Sequence, residues 1–443
     1  MTAEAGSAGA PVARPGAGGG LVDDLRFRGL WFQEAGTGLE EAFGSRSITA
    51  YIGFDPTNDS LQVGNLLQLC MLRRLQLAGH RPIFLAGGGT GMIGDPGGKS
   101  EERALLTDEQ LHANLGGIRP QLERFVDMEG AHGASALLLD NGEWLRGAGL
   151  LEFLRDVGKH FTVNDMVAKE SVRSRLERPD VGISYTEFSY MLLQAYDFLH
   201  LHDRHDCRLQ LGGSDQYGNI TMGVELIRKV RGHHVHGLTT PLVVKADGTK
   251  FGKTEAGTVW LDARRTSPYA FYQFFLRSED AMVGSYLRHL TFLEPGEILD
   301  LDAATAERPE QRAAQRALAR AVTTLVHGEE QTKRAEQAAA ALYSEDIAAL
   351  DEATLLEVCA EAPTSSRLRS DLDGGLLLVD VLADSGLARS KSQARTTLVQ
   401  GGAYVNNRRE SDPDRALGRQ DLLLDRYVVL RKGRRDYHLL RFD

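Results

Sequence analysis

Ile48-Thr-Ala-Tyr51-Ile-Gly-Phe54 runs directly into Asp55-Pro-Thr57-Asn-Asp-Ser-Leu-Gln62-Val-Gly64-Asn65, and far downstream stands a second segment, Lys250-Phe-Gly-Lys253-Thr254. Residues 48–54 are mostly apolar or β-branched and read as a strand, while residues 66–77 carry helical spacing. The residues between them therefore lie at a strand-to-helix turn, where a helix N-terminus favours phosphate. Thr57 brings a hydroxyl, Gln62 and Asn65 bring amide donors, and Gly64 admits close approach of adenine or phosphate to the backbone. The second segment sets Lys250 and Lys253 in a glycine-bearing loop, as mobile charges suited to β and γ phosphates. Taken alone, residues 55–65 also fit a helix-capping turn. Taken together, the two segments read as two halves of one ATP site.

Outward from that turn, residues 21–245 alternate strand-like runs (81–86, 136–139) with helices (66–77, 188–198), which predicts an α/β domain with a parallel sheet. Beyond Pro268 the strand signal stops, and 269–276, 281–290, 309–326 and 329–343 carry helical spacing. Residues 246–343 are thus expected to hold the lysine loop and a helical domain. Residues 1–20, mostly Ala, Gly and Pro, read as a disordered tail, and 344–375 as a linker with some helix. Residues 376–443 hold 13 Lys or Arg against 9 Asp or Glu, whereas the chain as a whole is at −10. Arg389, Lys391 and Arg395 fall on or near one face of a helix that leads into Gln400-Gly-Gly-Ala-Tyr-Val-Asn-Asn407, a glycine turn and a short strand. Charge alone leaves a solvated helix face open.

With 443 residues, 42% of them hydrophobic, the chain can bury a sizeable core. Its acidic balance argues against a protein coated in nucleic acid, though not against a local basic surface. No run approaches the roughly 18 apolar residues of a membrane span, and the start lacks a secretory pattern, so a cytoplasmic protein without membrane contact is expected. Cys70, Cys207 and Cys359 are too few and too scattered for a disulfide framework and read as buried thiols. His200, His202, His205 and Cys207, like His233, His234 and His236, match no zinc spacing.

Gly87-Gly-Gly-Thr-Gly-Met-Ile-Gly94 contains a formal G-x-G-x-x-G, but Asp95-Pro96 follows where a dinucleotide fingerprint needs a continuing helix. The glycines still imply close backbone approach, and Asp95 could accept from an ammonium group, with Lys99 and Arg103 nearby. In Tyr185-Thr-Glu-Phe-Ser-Tyr190-Met-Leu-Leu-Gln194-Ala-Tyr-Asp197, the polar residues 190, 194 and 197 share one face of an apolar helix. Such a stripe is satisfied either by a small polar ligand or by an internal hydrogen-bond network. Gly212-Gly-Ser-Asp215-Gln216-Tyr-Gly-Asn219 supplies another turn of small and amide residues.

From about residue 21 onward these motifs, in their order, resemble the bacterial tyrosyl-tRNA synthetase family of class I, and residues 376–443 resemble an S4 RNA-binding domain. The resemblance implies a Rossmann-like parallel-sheet catalytic domain, then an α-helical domain and a small α+β S4 domain. It also implies that Tyr51 and Asp197 bind the phenol of L-tyrosine, that Asp95, Tyr190 and Gln194 hold its ammonium group, and that Gln216 approaches its carboxylate. Asp55 and Asp215 would meet the amino acid or ribose, and Gly64 would lie by the ATP. Thr57, Lys99, Arg103, Lys250, Lys253 and Thr254 would stabilise the reacting phosphates. ATP with its Mg2+ would be substrate, with no metal site in the protein; tRNA-Tyr would bind through Arg389, Lys391 and Arg395, and the enzyme would be a homodimer, with 151–157 a candidate interface.

One departure stands out. The family's first signature is His-x-Gly-His, and this chain has Gln62-Val-Gly64-Asn65. A primary amide donates as an imidazole N–H does, with less rigidity. The expectation is a working tyrosine–tRNA ligase; a specialised or inhibitor-resistant paralogue and an RNA-binding protein with a silent site are the competing roles.

Overall fold

A computed structural model describes residues 20–95, 106–130, 134–177, 182–249, 251–254, 257–341, 344–360, 362–433 and 436–443. Two compact units emerge: one comprises residues up to Thr266 with Phe274–Val326, the other Ser267–Gln273 with His327–Asp443.

The first unit is built on strands β1 (Gln33–Ala35), β2 (Thr49–Phe54), β3 (Arg81–Ala86), β4 (Leu137–Asp140), β5 (Cys207–Gly213) and β6 (His236–Thr240). Their order is β1-β6-β5-β2-β3-β4. β2 pairs in parallel with both β3 and β5, β3 with β4 and β5 with β6; only β1, on β6, is antiparallel. The chain leaves β2 for β3 on one side and later returns to lay β5 on the other. That reversal opens a crevice at the carboxyl ends of β2 and β5, where open α/β sheets bind ligands. All the motifs at 55–65, 87–95 and 213–216 follow the carboxyl ends of β2, β3 and β5. A short antiparallel pair, β7 (Lys253–Thr254) and β8 (Gly257–Thr258), follows the large sheet in the chain.

Helix Leu66–Leu77 leaves the first motif, and its residues are buried nearly all round, as a helix clamped between a sheet and its neighbours requires. Helix Tyr185–His205 presents Met191, Leu192, Ala195, Phe198 and Leu199, at spacings of three and four, to a core shared with Tyr51, Ile83 and Leu85. Ser184 starts it by accepting from the Glu187 N–H at 3.2 Å, and Asp206, at φ 46°, ends it. Helices Asp280–Leu290 and Pro295–Glu307 follow; the second was not expected from the sequence. The helices expected to form one separate domain are divided between the two units.

In the second unit, β9 (Thr364–Arg367), β10 (Ala403–Val405), β11 (Arg408–Glu410), β12 (Tyr427–Lys432) and β13 (Asp436–Phe442) form a sheet in the order β11-β10-β12-β13-β9. Leu378, Val381, Leu398, Val428, Leu430 and Phe442 fill the core on one face, and Ile347, Leu355, Cys359, Tyr427, Val429 and Leu439 fill it on the other. Residues 344–375, expected as a linker with some helix, therefore supply an edge strand and a covering layer to this unit. Thr-Ser-Ser-Arg is polar throughout, so β9 leaves no apolar alternation to find. Cys70, Cys207 and Cys359 are free and buried.

Candidate active site

At the floor of the crevice, β2 carries Tyr51, 1% exposed, with its ring 5.4 Å from that of Phe198. Its hydroxyl is buried and has no hydrogen-bond partner among the described residues. Burial raises its pKa well above the ordinary tyrosine value, and the charge of Asp197 adds to that. Asp197, 2% exposed, accepts from Trp144 Nε1 at 2.7 Å and from Asn141 Nδ2 at 2.8 Å. Burial lifts its carboxyl to about 7 against the opposing pull of those two hydrogen bonds. Gln210, in register with Tyr51 on β5, has a second unpartnered buried oxygen, Oε1. An orphaned buried hydroxyl costs about 1–3 kcal/mol, so this arrangement suits a guest that brings its own hydroxyl. Tyr51→Phe removes the orphan: the expected result is a ligand-free melting temperature that is unchanged or higher, and a Kd for a phenol-bearing ligand such as L-tyrosine raised about 3- to 10-fold, both read by calorimetry.

Above this floor a polar network spans four segments. Tyr190 Oη donates to Asp55 Oδ2 at 3.0 Å, and Thr90 Oγ1 to Asp55 Oδ1 at 2.9 Å. Gln216 Nε2 donates to Asp95 Oδ2 at 2.6 Å, and Gln194 Nε2 to Gln216 Oε1 at 3.3 Å. The Tyr190 hydroxyl is pushed well above its ordinary pKa by burial and by the charges of Asp55 and Asp95. With Asp197 this makes an anionic, partly desolvated cavity, the environment an ammonium group favours. Asp55, expected beside the amino acid or ribose, is thus bonded directly to Tyr190, expected at the ammonium group. The glycine turn is explained too: a Cβ on Gly87 would run into Asp55 Oδ1, and one on Gly88 into the Asp140 carboxylate. Thr90–Met92 there forms a short 3-10 turn.

The turn at 56–65, expected to meet ATP, is held from below. Gln121 Oε1 accepts from Leu61 N–H at 3.0 Å and Ser60 Oγ at 3.2 Å, and Asn114 Nδ2 donates to Pro56 O at 2.8 Å. The Gln62 N–H donates to Asn65 Oδ1 at 3.1 Å, so the Asn65 carbonyl caps the turn and its amide hydrogens remain for a ligand. Gly64 and Thr57 are exposed, and the nearest atom to a Cβ on Gly64 would be 3.9 Å away.

The distant segment joins this turn through its backbone. Val63 N–H donates to Val259 O at 3.1 Å and Leu261 N–H to Leu61 O at 2.8 Å, while Gly252, at φ 87°, packs its Cα against Val63. Phe251 anchors the loop among Phe274, Phe275 and Tyr286, just ahead of Lys253 and Thr254 on β7. Lys99, Arg103 and Lys250 lie outside the described residues, as do the side chains of Lys253 and Thr254. Asp215 is exposed on the turn after β5.

In the second unit, Ser390 caps helix Lys391–Val399 by accepting from the Gln393 N–H at 3.3 Å. Arg389, Lys391 and Arg395 are all exposed, Lys391 pairing with Asp380 at 2.9 Å and Arg395 with Asp414 at 3.2 Å. Exposed pairs of this kind contribute little to stability and exchange readily for phosphate.

Asn141, Trp144 and Gln210 escaped the sequence reading, while Thr90 and Asn219 stood in quoted turns without an assigned role. Two of the histidines bond each other, His202 Nε2 lying 2.8 Å from His233 Nδ1, and His202 Nδ1 lies 3.0 Å from Cys207 O. Among the described residues no group of three or more His, Cys, Asp or Glu is placed to hold a metal ion.

The family model described as tRNA synthetases class I (W and Y) matches residues 44–344, and that of the Tyrosine--tRNA ligase SYY-like C-terminal domain matches 365–440. The Tyrosine--tRNA ligase of Roseiflexus castenholzii is 53% identical over 423 residues, covering 95% of this chain and 99% of its own. That of Opitutus terrae is 51% identical over 423 residues, with the same coverage of 95% and 99%. Among solved structures, a C-terminally truncated mitochondrial tyrosyl-tRNA synthetase of Aspergillus nidulans is similar with a TM-score of 0.65 at 31% identity, covering 73% of this chain and 94% of that one. The chain therefore belongs to the bacterial tyrosyl-tRNA synthetase family of class I.

Proposed function

We propose that this protein activates L-tyrosine with ATP to tyrosyl-adenylate and pyrophosphate, then transfers the tyrosyl group to the 3′ end of tRNA-Tyr. The observation that carries this reading is the unpartnered Tyr51 hydroxyl beside the buried Asp197 carboxylate. A substrate phenol donates its proton to Asp197 and accepts from Tyr51, filling both valences at once. Phenylalanine would leave them unfilled in a site closed to water. Asp95, Tyr190 and Gln194 hold the ammonium group, with Asp55 adding charge behind Tyr190, and Gln216 donates to the carboxylate.

That carboxylate is itself the nucleophile toward the α-phosphate, so the protein supplies position and charge. ATP enters as its Mg2+ complex, with ribose near Asp215 and adenine over Gly64. Thr57, Gln62, Asn65, Lys99, Arg103, Lys250, Lys253 and Thr254 meet the charge that develops on the phosphates as pyrophosphate departs. Arg389, Lys391 and Arg395 hold RNA phosphates. No observation favours a silent site retained only for RNA. Charging of tRNA-Tyr transcript with labelled tyrosine tests the whole reaction; stoichiometric charging supports it, and adenylate formation without charging would remove the transfer step.

Homodimerisation and a cytoplasmic setting belong to the same proposal. Among the described residues no helix is long and apolar enough to cross a membrane. Helix Leu150–Asp156 exposes Leu150 at 71% and Leu151 at 76%, with Val163 exposed nearby in sequence, whereas Val157, expected on that face, is buried. An apolar patch of this kind suits a second copy. Light scattering is expected to give twice the chain mass, and Leu151→Glu to give the monomer; a parent that is monomeric throughout would contradict this.

A further inference from the structure

The amide network at the amino-acid end of the pocket is anchored from outside it. Asn219, in the first turn of helix Tyr217–Arg231, is 5% exposed. Its Nδ2 donates to Gln194 Oε1 at 2.9 Å and to Gln216 Oε1 at 3.3 Å. Both glutamine carbonyls are therefore turned toward Asn219, and Gln216 faces the pocket with its hydrogens, donating to Asp95 Oδ2 at 2.6 Å.

Packing already fixes where Gln216 begins, since a Cβ on Gly212 would lie 2.9 Å from the Gln216 Cβ. What packing leaves open is which end of the amide faces inward. A primary amide is nearly the same shape either way round, so hydrogen-bond polarity makes the choice. Turned over, Gln216 would set its carbonyl against the Asp95 carboxylate and present an acceptor to an incoming carboxylate.

We propose that Asn219 is a positioning residue that fixes the polarity of Gln194 and Gln216, and through Gln216 the capture of the substrate carboxylate. Asn219 touches no substrate, and the inference rests on the tyrosine-activating reading above. Asn219→Asp is the sharpest variant: it removes both donor hydrogens and supplies acceptors, so the two glutamines turn their hydrogens outward to residue 219.

The full-length parent and variant are compared by tyrosine-dependent ATP–pyrophosphate exchange, with tyramine, which keeps phenol and ammonium but lacks the carboxylate, as a competing ligand. The expected result is a tyrosine KM raised about 10- to 100-fold, with tyramine inhibition, which feels the turned Gln194 but not the lost carboxylate contact, weakened by a clearly smaller factor, and the ATP KM changed by about threefold or less. Asn219→Ala, which adds no charge, is expected to raise the tyrosine KM about 3- to 10-fold with the same selectivity. An unchanged tyrosine KM in both variants would overturn the inference, as would equal losses for tyrosine, tyramine and ATP, the pattern of a general packing defect. A parent without exchange would instead overturn the tyrosine-activating reading, and the inference with it.

Discussion

Asp197→Asn is expected to lower kcat/KM for tyrosine about 100- to 1000-fold while leaving phenylalanine activation almost unchanged, so that the preference for tyrosine narrows by the same factor. Two losses add. The substrate phenol exchanges a charge-assisted hydrogen bond for a neutral one, and the new amide cannot accept from both Trp144 Nε1 and Asn141 Nδ2 without facing donor to donor. One buried donor is then left unpaired, at about 1–3 kcal/mol. Paired kinetics with both amino acids check this; a variant that keeps its preference would place phenol recognition elsewhere.

The same carboxyl gives the enzyme a pH signature. Burial holds it at about 7, so it is mostly ionised at pH 8 and mostly neutral at pH 6. The tyrosine KM of the parent is expected to rise roughly tenfold from pH 8 to pH 6 if the ionised form is the better acceptor, and that of Asp197→Asn to stay flat. Stability moves the other way. A carboxyl whose folded pKa is raised stabilises the fold fully below its ordinary value of 3.8, and this contribution is lost as pH rises through about 7. The ligand-free parent should therefore lose melting temperature across that window relative to Asp197→Asn.

The second large effect concerns the altered signature. Asn65 does two things: its carbonyl accepts from the Gln62 N–H at 3.1 Å, and its amide hydrogens face the nucleotide side in the proposed reaction. Asn65→Asp separates them, because a carboxylate caps at least as well but has no hydrogen to donate and adds negative charge. Its melting temperature is expected to match the parent's, while kcat for adenylate formation falls about 100- to 1000-fold and tyrosine binding is unaffected. Asn65→Ala should lose both functions, with a similar fall in rate and about 1 kcal/mol of stability. Parent-like turnover by Asn65→Asp would show that the turn has only a structural role.

Much of the frame was legible along the chain. The helix Leu66–Leu77 and strand β3 fall where their apolar runs end, and β2 begins one residue later than expected, because strand, turn and helix are each written in consecutive residues. Helix Tyr185–His205 outgrew its expected length because Ser184 caps it ahead of the apolar stripe and His, Asp and Arg continue it beyond. Tyr190, Gln194 and Asp197 stood out as a polar stripe and Gln216 in an amide-rich turn, and Tyr51 came from the resemblance, but most of the side chains that hydrogen-bond to Asp197 and the glutamines did not stand out. Asn141 and Trp144 act on Asp197 from another strand's end, and Asn219 stood in the sequence only as the last residue of a turn of small and amide residues. Except for Gln216, three residues before Asn219, their partners are distant in sequence, so no local period marks them. Asp55 shows the same limit: the resemblance left it between the amino acid and the ribose, and only the returning helix brings Tyr190 to it.

Tyrosine-dependent exchange of labelled pyrophosphate into ATP, measured on the full-length parent with phenylalanine run in parallel, is the most direct test of a working tyrosine-activating site built with Gln62 and Asn65. Exchange that requires tyrosine and is near background with phenylalanine is the predicted result. Background exchange with tyrosine, from protein that is folded and binds the amino acid, would contradict it.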